Sequence, residues 1–131
     1  MYRQFLGACE LVVTDKAATL DGVEVLGTRA SGLVPILRLL VERWHEDLVD
    51  GKAPDGHCCF TVGEIREHLR DERGSAPTEG TVRKRLTRLR QAIPERYKAQ
   101  ARRTLGVDAV VEDVDGFGYR LRPLGLTAHL S

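Results

Sequence analysis

A helical stretch in the second half of the chain, residues 78–93, constrains the fold and function more than any other segment. Its apolar side chains recur every three or four residues and therefore stack on one helical face: Val82, Leu86, Leu89 and Ile93. The side chains roughly opposite are Lys84, Thr87, Arg88 and Gln91. Arg83 and Arg90 flank the apolar stripe on one side, and Arg85 on the other. Such a helix anchors in a core and leaves a cationic face, which either lies against nucleic acid or is simply solvated.

The positive charge of the chain is concentrated in this helix and just after it. The net charge is only +1 over 131 residues. Residues 83–103 contain nine Lys and Arg against one acidic residue, Glu95, whereas residues 1–82 contain nine against fourteen. A local basic patch on a nearly neutral chain is the kind of asymmetry that attracts an anionic partner.

Length and composition predict one cytoplasmic domain over residues 1–131. No apolar run approaches the ~20 residues of a membrane span, and the polar start Met-Tyr-Arg-Gln does not resemble a signal peptide. We therefore expect no membrane partner. Cys9, Cys58 and Cys59 are an odd number of cysteines, which fits a reducing cytosol rather than a disulfide scaffold.

Strands and a helix are predicted before the basic stretch. Residues 9–27 have the composition of two or three short antiparallel strands, with a hairpin turn at Asp21-Gly22. Residues 30–48 follow the spacing of an amphipathic helix, in which Pro35 belongs near the start. Trp44 lies on the apolar face of this helix and is expected in the core.

A helix-turn-helix unit is predicted over residues 61–93. Thr61 and Glu64 have the spacing of a capping box, which opens a short helix. A Gly-, Ser- and Pro-rich turn separates that helix from the basic helix, which Pro94 is expected to end. A further short helix is predicted over 95–105.

A β-hairpin follows. Residues 107–123 hold two alternating runs around a glycine-rich turn, and Arg120 and Arg122 share one face of the second run. A hairpin after a helix-turn-helix unit is a wing. The predicted fold is therefore an α+β winged helix-turn-helix with N-terminal antiparallel strands, three main helices and a C-terminal hairpin wing. The tail from Leu124 receives no prediction.

Three stretches resemble the winged-helix DNA-binding effector domain of OmpR/PhoB-type response regulators. Residues 21–28, Asp-Gly-Val-Glu-Val-Leu-Gly-Thr, are similar to the family's entry into its first helix. Residues 82–90, which end in Leu-Arg, are similar to its recognition helix. Residues 115–121, Asp-Gly-Phe-Gly-Tyr-Arg-Leu, are similar to its closing Gly-x-Gly-Tyr-Arg turn. The resemblance covers roughly residues 9–123.

The resemblance implies a bacterial transcriptional regulator that binds double-stranded DNA, with the third helix in the major groove. The residues implied at base edges are Lys84, Thr87, Arg88 and Gln91. The residues implied at phosphates are Thr81, Arg83, Arg85 and Arg90, and those of the wing are Arg120 and Arg122. The resemblance also allows a homodimer on repeated half-sites, and a protein partner in the form of RNA polymerase or a separate sensor protein.

The chain differs from this family in three features. Its length leaves no room for the family's receiver domain, so phosphorelay control is not expected. Glu112 and Asp113 make the first hairpin strand acidic, where the family tends toward Thr and Arg. Residues 94–108 are longer than the usual link. The acidic strand favours the alternative hypothesis, a winged-helix protein-interaction module that binds an acidic partner through the basic face or through 94–108.

No residue pattern indicates catalysis or a cofactor. His57-Cys58-Cys59 lacks the spacing of a zinc finger or ribbon, and carries no local signature of a Cys–His nucleophile. Gly116-x-Gly118 lacks the Lys-Ser/Thr of a phosphate-binding loop. We therefore expect no enzyme, no metal and no cofactor; a metal- or thiol-dependent enzyme is the third hypothesis.

Overall fold

The computed structural model, which describes residues 9–114 and 118–131, has a mixed α+β architecture. In chain order its elements are β1 (Cys9–Val13), β2 (Ala18–Leu20), β3 (Val23–Leu26), a 3-10 helix (Thr28–Leu33), α1 (Val34–Val49), a 3-10 turn (Pro54–Gly56), α2 (Val62–His68), α3 (Glu79–Ala101), β4 (Val111–Val114), β5 (Gly118–Leu121) and β6 (Leu126–Leu130). Among the helices described, none is both long and apolar enough to cross a membrane.

A four-stranded sheet contains both the first and the last strand described. β1, β2 and β3 form the predicted antiparallel meander, and Asp21 and Gly22 turn the chain between β2 and β3 with φ values of 52° and 80°. β6, which the sequence pattern does not predict, is formed by the tail and pairs with β1 in parallel. The strand order is therefore β3-β2-β1-β6. Alternate residues of β1, β2 and β6 are buried, so one face of the sheet covers the core.

α1 supplies much of the core, and Trp44 is buried in it as predicted. The helix begins at Val34 rather than at residue 30, after the 3-10 helix. Pro35 explains this start, because proline has no N–H to donate and is best accommodated in the first helical turn. Its position near the helix start is confirmed.

The capping box at the start of α2 is also confirmed. The Glu64 N–H donates to Thr61 Oγ1 at 3.1 Å, and the Thr61 N–H donates to Glu64 Oε1 at 2.9 Å. Ile65 is the buried residue of α2 and belongs to the core. The segment between α2 and α3 is ordered by Asp71, whose Oδ1 accepts from the N–H groups of Arg73 and Ser75 at 2.9 Å.

The prediction that Pro94 ends the basic helix is wrong, and so is the separate helix over 95–105. α3 runs from Glu79 to Ala101 with Pro94 inside it. A proline in a helix interior removes one main-chain hydrogen bond and costs about 3 kcal/mol. The helix ends instead at Arg102, which adopts the left-handed conformation with φ 57°.

Contacts with the sheet hold the part of α3 that follows Pro94. Tyr97 is 1% exposed, and its hydroxyl donates to Asp21 Oδ2 at 3.1 Å. One turn later, Gln100 Nε2 donates to the carbonyl oxygen of Glu24 at 3.2 Å. This packing against the β2–β3 hairpin offsets the hydrogen bond lost at the proline.

One buried carboxylate fixes the segment between α1 and α2. Asp47 is 1% exposed; its Oδ2 accepts from the Cys58 N–H at 2.9 Å, and Lys52 Nζ lies 3.2 Å from Oδ1. Burial acts to raise the pKa of Asp47, but the Cys58 N–H and the Lys52 ammonium outweigh it, so the pKa lies below its ordinary value of 3.8. The carboxylate therefore holds the residues that lead into α2 against α1.

We predict that Asp47→Asn lowers stability at neutral pH and weakens the acid dependence of unfolding. Because the folded-state pKa is lowered, the unfolded chain binds more protons at acidic pH. The contribution of Asp47 is therefore complete above its ordinary pKa and is lost as the pH falls through the folded-state value. Urea unfolding of both chains between about pH 7 and 3 measures the effect. Asp50→Asn, at an exposed carboxylate, is the control; an unchanged acid dependence in Asp47→Asn would contradict the prediction.

Candidate nucleic-acid interface

α3 is anchored by its cap and by its apolar stripe. Thr78 caps the helix, since its Oγ1 accepts from the Thr81 N–H at 3.1 Å. Thr81 is half-buried and lies in this cap, with its hydroxyl 3.0 Å from that of Thr78. The stripe predicted from the spacing is buried together with Tyr97: Val82, Leu86, Leu89 and Ile93. The rotation of α3 about its own axis is therefore fixed.

The outer face of α3 is exposed. The four side chains on it are Lys84, Thr87, Arg88 and Gln91. Lys84 and Arg88 form no ion pair with any residue in the described ranges. Arg83, beside them, lies 3.8 Å from Glu79 in an exposed pair of the kind worth about 0.3–0.5 kcal/mol. These cationic groups are therefore available to an anionic partner.

Arg90 is engaged differently, because it links α3 to the chain that enters the hairpin. Its side chain is 19% exposed, and its guanidinium hydrogen-bonds Asp108 Oδ1 and lies 3.8 Å from Asp113 Oδ2. Burial acts to raise the pKa of Asp108, but Arg90 and the Asp113 N–H outweigh it, so the pKa lies below its ordinary value. The charge of Arg90 is thus balanced within the protein.

Arg120 links the hairpin to the loop before α2. It is 15% exposed, with Nε donating to Glu112 Oε1 at 2.7 Å. Its Nη1 donates to the carbonyl oxygens of Pro54 and His57 at 3.2 and 3.1 Å. Arg122 is exposed, and its Nη1 donates to the carbonyl oxygen of Asp108 at 3.5 Å. Of the two hairpin arginines, only Arg122 therefore presents its charge to solvent.

These contacts explain why β4 is acidic, since each of its two carboxylates lies beside an arginine. Glu112 lies opposite Arg120 in the hairpin register, and Asp113 faces Arg90 of α3. The sequence did not specify the first pair, since the predicted turn over 115–118 is centred between residues 116 and 117 and would place Asp113, not Glu112, opposite Arg120. The pairing with Arg90 had no sequence signal, because it depends on how α3 and the hairpin pack.

The hairpin is joined to the residue that precedes the α2 cap. β4 and β5 pair in antiparallel fashion; the turn residues 115–117 lie outside the described residues. Phe60 and Tyr119 exchange two main-chain hydrogen bonds of 2.7 and 2.8 Å. Gly118 has φ +129°, and a Cβ built on it would lie 2.3 Å from the carbonyl oxygen of Phe60. Only glycine allows so close an approach.

The cysteines near this contact are free. Cys58 Sγ accepts from Lys52 Nζ at 3.2 Å, and burial raises the pKa of the Cys59 thiol. Across residues 9–114 and 118–131, His, Cys, Asp and Glu side chains form no group of three or more that could hold a metal ion.

Comparison of the chain with protein-family models, with curated proteins and with solved structures gives no match. The function is therefore inferred from the residues and their geometry.

We predict that Gly118→Ala destabilises the protein by more than the 1–3 kcal/mol typical of a strained backbone position, because the new Cβ also overlaps Phe60. Urea unfolding measures the loss. Gly106→Ala is the matched control, since a Cβ there meets no atom within 4 Å among the described residues and its φ is not positive. Equal stabilities for the two variants would show that Phe60 does not approach Gly118 closely in solution.

Proposed function

We propose that the chain is a winged helix-turn-helix protein that binds double-stranded DNA sequence-specifically and acts as a bacterial transcriptional regulator. In this proposal α3 enters the major groove and the β4–β5 hairpin is the wing. The proposal is carried by the two faces of α3. One face is a buried apolar stripe, and the other exposes cationic and hydrogen-bonding side chains.

The chemistry of that face suits base edges. The major groove is about 12 Å wide and admits one α-helix, whose side chains then face the base pairs. Arg88 and Lys84 are donors of the kind that bind the O6 and N7 acceptors of guanine. Gln91 matches the donor and acceptor of adenine, and Thr87 offers both a hydroxyl and a methyl group. One exposed face thus carries side chains that suit guanine, adenine and the methyl group of thymine.

The cationic residues fall into two groups in this proposal. Those whose charges are free or only weakly paired, Arg83, Arg85 and Arg122, are assigned to phosphates. Arg90 and Arg120 are held by acidic groups and orient the hairpin against α3 and the loop before α2. Both carboxylates of β4 lie beside these guanidinium groups, with Arg90 shared between Asp113 and Asp108, so the acidic strand is a weaker reason to prefer an acidic protein partner over DNA.

We predict that the protein binds a short random-sequence duplex with an affinity that falls log-linearly with salt. The expected slope is about −4 to −8, because each neutralised phosphate contributes about −0.9. Fluorescence anisotropy across a salt series measures it, and the double variant Lys84→Glu, Arg88→Glu should lose most of the binding. Failure of the wild type to bind near 50 mM salt, where phosphate contacts are strong, would favour the acidic-protein alternative.

We also predict that replacing Arg88 and replacing Arg83 of α3 change DNA binding in different ways. Arg88→Ala should cost about 1–3 kcal/mol on the preferred site and relax specificity at one base pair. Arg83→Ala should weaken binding to all sequences alike and reduce the salt slope by about one. Binding of each variant to the selected site and to its single-base changes separates the two roles.

The control for both variants is Lys16→Ala, which removes an exposed cation from the β1–β2 turn. An equal loss on every sequence for Arg88→Ala would remove its assigned role at a base edge. Thermal unfolding of each variant establishes that the substitutions, all at exposed positions, leave the fold intact.

A further inference from the structure

A groove with an excess of positive charge lies beside the outer face of α3. It is lined by residues of the 3-10 helix Thr28–Leu33 and of α3, which also contact each other, and has a volume of about 450 Å³. Arg29 lines it from the 3-10 helix, and three charged residues line it from α3: Arg85, Arg88 and Glu95. Arg29, Arg85 and Arg88 form no ion pair with residues 9–114 or 118–131.

The groove and the hairpin lie on opposite flanks of the same helix. At about 100° per residue, Arg85 falls on one side of the buried stripe of α3 and Arg90 on the other. The hairpin occupies the Arg90 flank, through Asp108 and Asp113. The 3-10 helix occupies the Arg85 flank. The outer face of α3 therefore lies between two structures that each carry an exposed arginine, Arg122 and Arg29.

We propose that this groove is a phosphate-binding site in which Arg29, together with Arg85, holds a backbone phosphate of DNA. The proposal rests on the function proposed above. A helix in the major groove has a sugar–phosphate strand on each side, and the hairpin accounts for only one of them. The groove places guanidinium groups, whose planar fork suits phosphate oxygens, on the side of the second strand.

Charge complementarity favours an anionic occupant, and the position of the groove beside the outer face of α3 favours a backbone phosphate. Three guanidinium groups against the single carboxylate of Glu95 favour an anion, and the groove is continuous with the exposed face of α3 through Arg88. Arg29 is absent from the residues predicted at DNA, because it precedes the helix-turn-helix unit by some thirty residues and only the folded chain brings it to α3. It thus extends the interface to the segment before α1.

The same chemistry would also attract a free phosphate compound. The groove volume falls in the range of about 300–1,000 Å³ usual for small-molecule sites. The experiment therefore has a DNA arm and a free-anion arm, the latter using inorganic pyrophosphate without DNA.

The test compares wild type, Arg29→Ala, Arg29→Lys and the control Lys16→Ala in duplex binding across a salt series. Arg29→Ala should reduce the salt slope by about 0.9 and weaken binding equally on the preferred site and its single-base changes. Arg29→Lys keeps the charge and should retain the slope. Lys16→Ala should leave both quantities unchanged.

Each other outcome overturns the proposal in a distinct way. An unchanged slope in Arg29→Ala, with wild-type binding intact, would remove Arg29 from the interface and leave the proposed function standing. An equal reduction of the salt slope of duplex binding in Lys16→Ala would show that net charge, and not the position of Arg29, causes the change. Calorimetric binding of pyrophosphate that Arg29→Ala abolishes while the DNA slope is unchanged would assign the groove to a free anion. Absence of duplex binding by the wild type would remove both proposals.

Discussion

Two main-chain hydrogen bonds, between Phe60 and Tyr119, hold the candidate interface in one arrangement. Phe60 is followed at once by Thr61, the cap of α2, and Tyr119 belongs to β5. A shift of the hairpin therefore moves the start of α2, and α2 packs on α3. This coupling requires a residue without a side chain at position 118, where the backbones approach most closely. One glycine thus sets the relation between the two parts proposed to contact DNA.

The ion pairs around the hairpin have a related role. Half-buried pairs such as those of Arg90 and Arg120 add little net stability, because desolvation of both charges opposes their attraction. What these ion pairs contribute is the orientation of the hairpin, because their hydrogen bonds are directional. Arg120 has one carboxylate and two carbonyl oxygens as partners, and these directional hydrogen bonds connect β5 to β4 and to the loop before α2. Apolar packing could hold the same elements together, but it would define their angle less sharply.

The parts of the fold that follow local rules could be predicted from the sequence. The capping box at Thr61, the buried stripe of α3 and the exposure of Lys84 and Arg88 all follow from spacing along one element. The continuation of α3 through Pro94 could not be predicted, because its cause is the packing of Tyr97 on a distant turn. The engagement of Arg90 and the groove at Arg29 likewise arise only when separate elements meet.

The parallel pairing of β6 with β1 has a consequence for how the protein folds. Cys9 lies opposite Leu126, so this ladder closes a loop of more than 100 residues, with an entropy cost that grows as the logarithm of length and amounts to roughly 4 kcal/mol. The β1–β2–β3 meander closes only short loops and is expected to form first. Until β6 docks, one edge of β1 presents unpaired N–H and C=O groups to neighbouring chains. After β6 docks, that edge of the sheet is β6 itself, so the strand expected to join last becomes the strand that neighbouring chains can reach.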